Sequence, residues 1–284
     1  MVVSAASFAL MAAFAKKLLP DTPTQAVVFS RGVMMTAIFF AAARWQGVPL
    51  LGKRPGLLLV RGLLGYAALS CYFWSVQHLP LGDAVLLQYS HPVFVAAVAP
   101  LLLGERTRRG QWWLILAALV GVALVVRPSG EVRPAALVGV SGSMLSGLAY
   151  IAVRGLSKFE HPMTILLWFP LATVPFSLVA AIASGPAAIP RSGREVAGHL
   201  LVTASALLGQ LALTHGLSLV GAAKATAVTL TGPVFGLLFG LLFFGTVPTG
   251  ASLAGTVVVL TALGLLARQG GRAGPGASDP APRA

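Results

Sequence analysis

Two short runs hold residue types that could bind or carry a polar solute within an apolar chain. Gln88 and His91 stand three residues apart just before Pro92, and Thr226 and Thr229 stand three apart before Pro233. Proline has no N–H, and its ring displaces the carbonyl four residues earlier. The carbonyls freed in this way would be those of Gln88 and Thr229. Backbone left open in a bilayer is tolerated only against protein or a wet cavity. Pro92 and Pro233 are therefore read as mid-helix kinks, serving packing alone or opening a cavity walled by Gln88, His91 and Thr229. His91 is read as the one histidine deep in an apolar segment. An imidazole there suits a structural hydrogen bond, a substrate contact or a coupling proton.

Further polar residues recur at helical steps. One stripe is Ser143, Ser146, Tyr150 and Arg154; a second is Tyr66, Ser70, Trp74 and Gln77; a third is Thr203, Gln210, Thr214 and Ser218. Residues three and four apart share a helix face. Such stripes serve either as interhelical glue or as the lining of an aqueous path, and their aromatics suit stacking on cations or planar solutes. Arg31 falls about eight residues into its segment, roughly 12 Å along it. An arginine at that depth costs roughly 2.5–3.5 kcal/mol to insert. It must reach water or an acceptor, or else anchor an anionic group of a substrate.

The elements that carry these residues are membrane helices. Hydrophobic residues make up 57% of the 284 residues and charged ones 10%, against roughly 25% charged in a soluble domain. The apolar runs are continuous over about 20 residues rather than alternating, which excludes a barrel. Ten segments can be drawn, at roughly 2–19, 24–43, 56–78, 82–103, 110–127, 134–156, 162–183, 196–219, 222–244 and 249–268. The last residues, 269–284, rich in Gly, Ala, Pro, Ser and Arg, read as a disordered cytoplasmic tail. The net charge of +13 comes from basic residues set singly between apolar runs. That orients membrane loops and gives no reason to expect nucleic acid. With the N-terminus in the cytoplasm, 13 Lys and Arg fall in inner loops and segment ends, Arg61 among them, and 6 on the outer side, with Arg31 in the membrane. Both termini are therefore expected in the cytoplasm of a multi-pass protein of the cell (inner) membrane.

Pro92-Val93-Phe94 recurs as Pro233-Val234-Phe235, and the same shift of 141 residues carries Leu101 onto Leu242 and Gly104 onto Gly245. Two copies with an odd number of crossings each would lie upside down relative to one another. Inverted repeats are the usual build of secondary transporters, with the substrate between the halves near mid-membrane. The expected units are 1–130 (segments one to five) and 131–268 (segments six to ten). Gly232, Gly236 and Gly240 form a row suited to close helix packing.

The run Leu79-Pro80-Leu81-Gly82-Asp83-Ala84, then Pro92-Val93-Phe94, Leu103-Gly104-Glu105-Arg106, Gln111 and Gly121-Val122, resembles the EamA domain of the drug/metabolite transporter superfamily. Arg31 matches an arginine common in that pattern. The second copy is similar through Leu219–Gly264, although Thr246 stands where the family often repeats the glutamate of Glu105. The resemblance implies an all-α integral membrane fold of ten helices, cytoplasmic termini and movement of small metabolites.

The expected function is thus a secondary transporter, or permease, for a small polar or amphipathic metabolite such as an amino-acid-like or nucleoside-like solute, working by alternating access. The expected partners are the solute and the lipid bilayer; any coupling proton would fall to His91, and otherwise the movement is facilitated diffusion or exchange. The seven acids all fall at segment ends or in loops, so no mid-membrane carboxylate offers itself for ion coupling. No GxxxxGK[ST] loop is present and Cys71 is the only cysteine, so no nucleotide, cofactor, metal or catalytic role is expected. The rival readings are a channel or membrane scaffold and, further off, an intramembrane transferase using His91.

Overall fold

The computed structural model of the chain describes residues 1–103, 109–126, 133–185, 190–219 and 230–272. Their regular structure is helical: α1 (Val2–Leu18), α2 (Thr24–Trp45), α3 (Pro55–His78), α4 (Leu81–Tyr89), α5 (His91–Leu103), α6 (Arg109–Val126), α7 (Pro134–Leu156), α8 (Pro162–Ala183), α9 (Gly193–Leu219), α10 (Gly232–Phe244) and α11 (Gly250–Arg272). α4 and α5 are halves of one segment interrupted at Ser90, so these helices make the ten segments expected. Seven stretches are long and apolar enough to span a bilayer; α6 and α10 supply shorter apolar helices. α11 continues to Arg272, beyond the expected end at 268. Thr226 and Thr229 lie outside the described residues, as does the tail from 273 onward.

The most extensive packing pairs are α3 with α7, α1 with α9, α6 with α11 and α2 with α8, followed equally by α4 with α10 and α3 with α8. Exchange each segment for the one five places away, and all but the last map onto one another or onto themselves; the counterpart of α3 with α8, α2 with α9, packs less extensively. Small residues set the close approaches. A Cβ on Gly232 would lie 2.3 Å from the Tyr89 ring, one on Gly236 2.7 Å from Val85, and one on Gly82 2.3 Å from Leu237. The glycine row of α10 is therefore the seam with α4. Between α6 and α11 the backbones themselves meet, because a Cβ on Gly255 would come within 2.6 Å of the Gly121 carbonyl oxygen.

One end of the bundle is tied across these seams. Ser252 at the start of α11 donates to the carboxylate of Asp83 on α4, and Arg133 before α7 stands 3.5 Å from the same carboxylate. Lys16 at the end of α1 donates to the carbonyls of Val76 (2.8 Å) and Leu79 (2.7 Å) at the end of α3. A lysine suits the negative end of a helix dipole. Asp83 is a segment-end residue as the sequence indicated, but it is only 5% exposed. At the other end Glu160 accepts from the backbone N–H groups of Lys53 (2.6 Å) and Arg54 (2.5 Å), where α3 begins.

Candidate functional site

The break between α4 and α5 is built locally. Pro92 occupies the first turn of α5, where a missing N–H costs no hydrogen bond. It had been expected mid-helix, but the helix stops before it, at Ser90. The carbonyls left over are taken by side chains. Ser90 Oγ donates to the Leu87 carbonyl at 2.6 Å, and His91 Nδ1 lies 2.9 Å from the Gln88 carbonyl, the group that Pro92 frees. Pro233 likewise stands in the first turn of α10, next to Gly232, and Tyr89 at the end of α4 packs against Gly232.

α7 meets the first break rung by rung. Ser143 Oγ is 3.0 Å from Ser90 Oγ, Gln88 Nε2 donates to Ser146 Oγ at 3.0 Å, and the Tyr150 ring stacks on His91 with centroids 4.6 Å apart and planes 15° apart. α7 can approach this closely because a Cβ on its Gly147 would stand 3.1 Å from Phe94 and 3.2 Å from the His91 carbonyl oxygen. The Gln88 side-chain oxygen is buried with no hydrogen-bond partner. Tyr150 stacks on His91 on one side and is 49% exposed on the other.

The neighbouring corner is cationic. Arg31 on α2 is 5% exposed, and its guanidinium lies 5.7 Å from the centre of the Phe169 ring on α8. Arg61 on α3 lies 4.5 Å from the centre of the same ring and within electrostatic reach of Tyr150. The sequence counted Arg61 with the inner loops and segment ends, inside the segment 56–78, and the structure agrees: Arg61 lies near the start of α3, which begins at Pro55. The nearby glycines were the missed signal of the contact with α8: a Cβ on Gly62 would stand 2.4 Å from Ala172, and one on Gly65 2.6 Å from Phe169. These two positions let α8 close over Arg61.

The other expected residues are spread out. Tyr66 donates to Gln25 at 3.2 Å and meets the Phe176 ring at 5.9 Å. Trp74 faces His78 of its own helix at 4.1 Å, and Gln77 joins Thr24 and the Leu19 carbonyl. Within the α3 stripe, Tyr66 and Gln77 thus reach α2 and the end of α1, Tyr66 also meets α8, Trp74 stays with its own helix, and Ser70 Oγ is buried without a hydrogen-bond partner among the described residues. Gln210 is half-buried on α9, and Thr203 turns back to the His199 carbonyl. Arg154 is exposed. His91 is not the only interior histidine: His199 is 5% exposed and its Nδ1 lies 2.6 Å from Ser30 Oγ. Among the described residues no cluster of three His, Cys, Asp or Glu is placed to hold a metal.

Comparison with known proteins agrees with a chain built to move solutes. The profile of the EamA-like transporter family matches residues 1–127 and 133–268. The pseudopaline exporter CntI of Pseudomonas aeruginosa (strain UCBPP-PA14) is 32% identical over 269 residues, covering 94% of each protein. A riboflavin transporter of Rhizobium johnstonii is 28% identical over 205 residues, covering 72% of this chain and 67% of that protein. A solved crystal structure with 20% sequence identity shares the fold, with a TM-score of 0.63 over 94% of this chain and 96% of the other. Matched along nearly its whole length, this multi-pass membrane protein belongs to the EamA-like transporter family.

Proposed function

We propose that the chain is a secondary transporter that exports a small polar or amphipathic metabolite by alternating access. Its site lies where α7 meets the broken α4–α5 segment. The observation that carries this reading is the ladder Ser143–Ser90, Ser146–Gln88 and Tyr150–His91. It includes the half-exposed Tyr150 ring and the Gln88 side-chain oxygen, an acceptor with no hydrogen-bond partner among the described residues. Polar groups so arranged at a helix break are what a solute site in a bilayer requires. Gln88, His91, Ser146 and Tyr150 form its centre, with Arg31 at its edge. Tyr66, Trp74 and Gln210 line the outer path, and Thr229 is the counterpart on the second break.

In this reading 1–130 and 131–268 are two inverted repeats of five helices. The packing pairs that map onto one another or onto themselves when the halves are exchanged support it. The excess of basic residues on one side supports an inner-membrane protein with both termini in the cytoplasm. The exporter among the relatives supports outward movement. Amino-acid-like and nucleoside-like solutes are the candidate cargo, and His91 is the candidate for a coupling proton.

The test is solute flux in proteoliposomes containing the purified chain, measured across a broad metabolite panel. Saturable flux that is accelerated by solute on the opposite side is expected. Flux equal to protein-free vesicles for every solute would end this reading, and conduction without such acceleration would favour a channel.

A further inference from the structure

The Arg31–Phe169–Arg61 corner holds two cations that the described protein does not neutralise. Arg31 Nε, Arg61 Nε and Arg61 Nη1 are buried with no hydrogen-bond partner. The four described carboxylates are engaged or exposed elsewhere. Asp83 holds Ser252 and Arg133, Glu160 the start of α3, and Glu195 the N–H of Arg191 and the hydroxyl of Ser192; Asp21 is exposed in the turn after α1. Phe169 offers each guanidinium its ring face. A cation–π contact returns only part of what burying an unpaired charge costs. Donors left open in this way are the complement of an anion, and arginine's planar fork matches a carboxylate or phosphate.

We propose that Arg31 and Arg61 form an anion subsite, so that the transported solute carries a carboxylate. Arg61 also lies within electrostatic reach of Tyr150, which stacks on His91. His91 adjoins Gln88, whose side-chain oxygen awaits an N–H donor. The complementary solute therefore pairs a carboxylate with an N–H group, and a flat portion of it lies against Tyr150. This assignment rests on the transport reading above, but it is tested by binding, which needs no flux.

The probes are amino-acid-derived mono- and dicarboxylates, each paired with its own carboxamide. Each is added to the full chain in phosphatidylcholine nanodiscs while thermal unfolding is followed. A ligand that binds only the folded state raises its melting temperature. Shifts are expected from the carboxylate members alone, and both Arg61→Gln and Arg31→Gln should abolish them. Binding should weaken at least about tenfold, the loss of a hydrogen bond to a charged group. Without ligand both variants should melt at or above the wild-type temperature, because an unpaired buried charge has been removed.

Four outcomes with phosphatidylcholine nanodiscs overturn the assignment. They are equal shifts from carboxamides, no shift from any carboxylate, shifts that persist in both variants, or ligand-free variants that melt below wild type. The last would make the arginines structural. Adding phosphatidylglycerol separates a lipid phosphate from a solute: an arginine-dependent shift that needs no carboxylate would assign the corner to lipid and also overturn the proposal. Intact carboxylate binding with no flux would instead remove the transport reading and leave the subsite standing.

Discussion

The end of the bundle that carries Asp83 and the interior that carries Arg31 and Arg61 treat buried charge in opposite ways. At the end, each charged group finds a partner: Asp83 has Ser252 and Arg133, and Lys16 has two carbonyls of α3. In the interior two guanidinium groups share one phenyl ring and leave buried N–H groups open. Both places face the same difficulty, since an ion taken from water loses several kcal/mol of hydration. A satisfied cluster is a tie that holds helices together. An unsatisfied one costs stability until something enters, which marks it as a place for a visitor.

Substitutions can break that contrast or sharpen it. The largest effect is expected at the tied end from Gly255→Ala, whose new methyl would press on the Gly121 backbone oxygen, an atom that cannot swing away. A loss of about 3 kcal/mol is expected by chemical denaturation in detergent. A loss below about 1 kcal/mol would mean that the α6–α11 seam yields easily. Asp83→Ala strips Ser252 and Arg133 of their acceptor and should cost about 2 kcal/mol. With Arg133→Ala added, the second loss should be far smaller than in wild type, because the two act as one unit; additive losses would dissolve the tie.

In the interior, Ser146→Ala removes the acceptor of Gln88 Nε2 and should cost about 1 kcal/mol in the same measurement. It should also raise the apparent KM for the solute, and an unchanged KM would move the site off the ladder. The smallest effect is expected for Tyr66→Phe, at about 0.5 kcal/mol, because its bond to Gln25 is long and partly exposed. Flux should change little in that variant, because the ring that lines the outer path is kept, and a large drop would place the Tyr66 hydroxyl at the centre of the solute site.

Much of this arrangement was legible in the sequence because a bilayer leaves few alternatives. Continuous apolar runs separated by short polar stretches become helices, since no water is present to bond open backbone. The α7 stripe could be read because three- and four-residue steps place Ser143, Ser146 and Tyr150 on one face, and a break at Pro92 needs polar company. The α3 stripe has the same periodicity and reads the same, yet its Tyr66 and Gln77 reach α2 and the end of α1. Spacing fixes which residues share a face but not which neighbour that face meets. Arg61 and His199 were hidden for a related reason: charge near a segment end resembles a loop until a neighbour such as α8, admitted by Gly62 and Gly65, closes over it. Asp83 was visible as an acid at a segment end, but its partner Ser252 lies 169 residues away, beyond the reach of any local pattern.

The shift of 141 residues that superimposes the two copies carries His91 onto Gly232. Glycine at 232 makes room for the ring of Tyr89, while histidine at 91 supplies the ring beneath Tyr150. Glycine at both places would strip Tyr150 of its partner, and histidine at both would expel Tyr89. The two copies therefore differ in side-chain shape at this point, and in the proposed transporter the solute would meet unlike walls from the two halves.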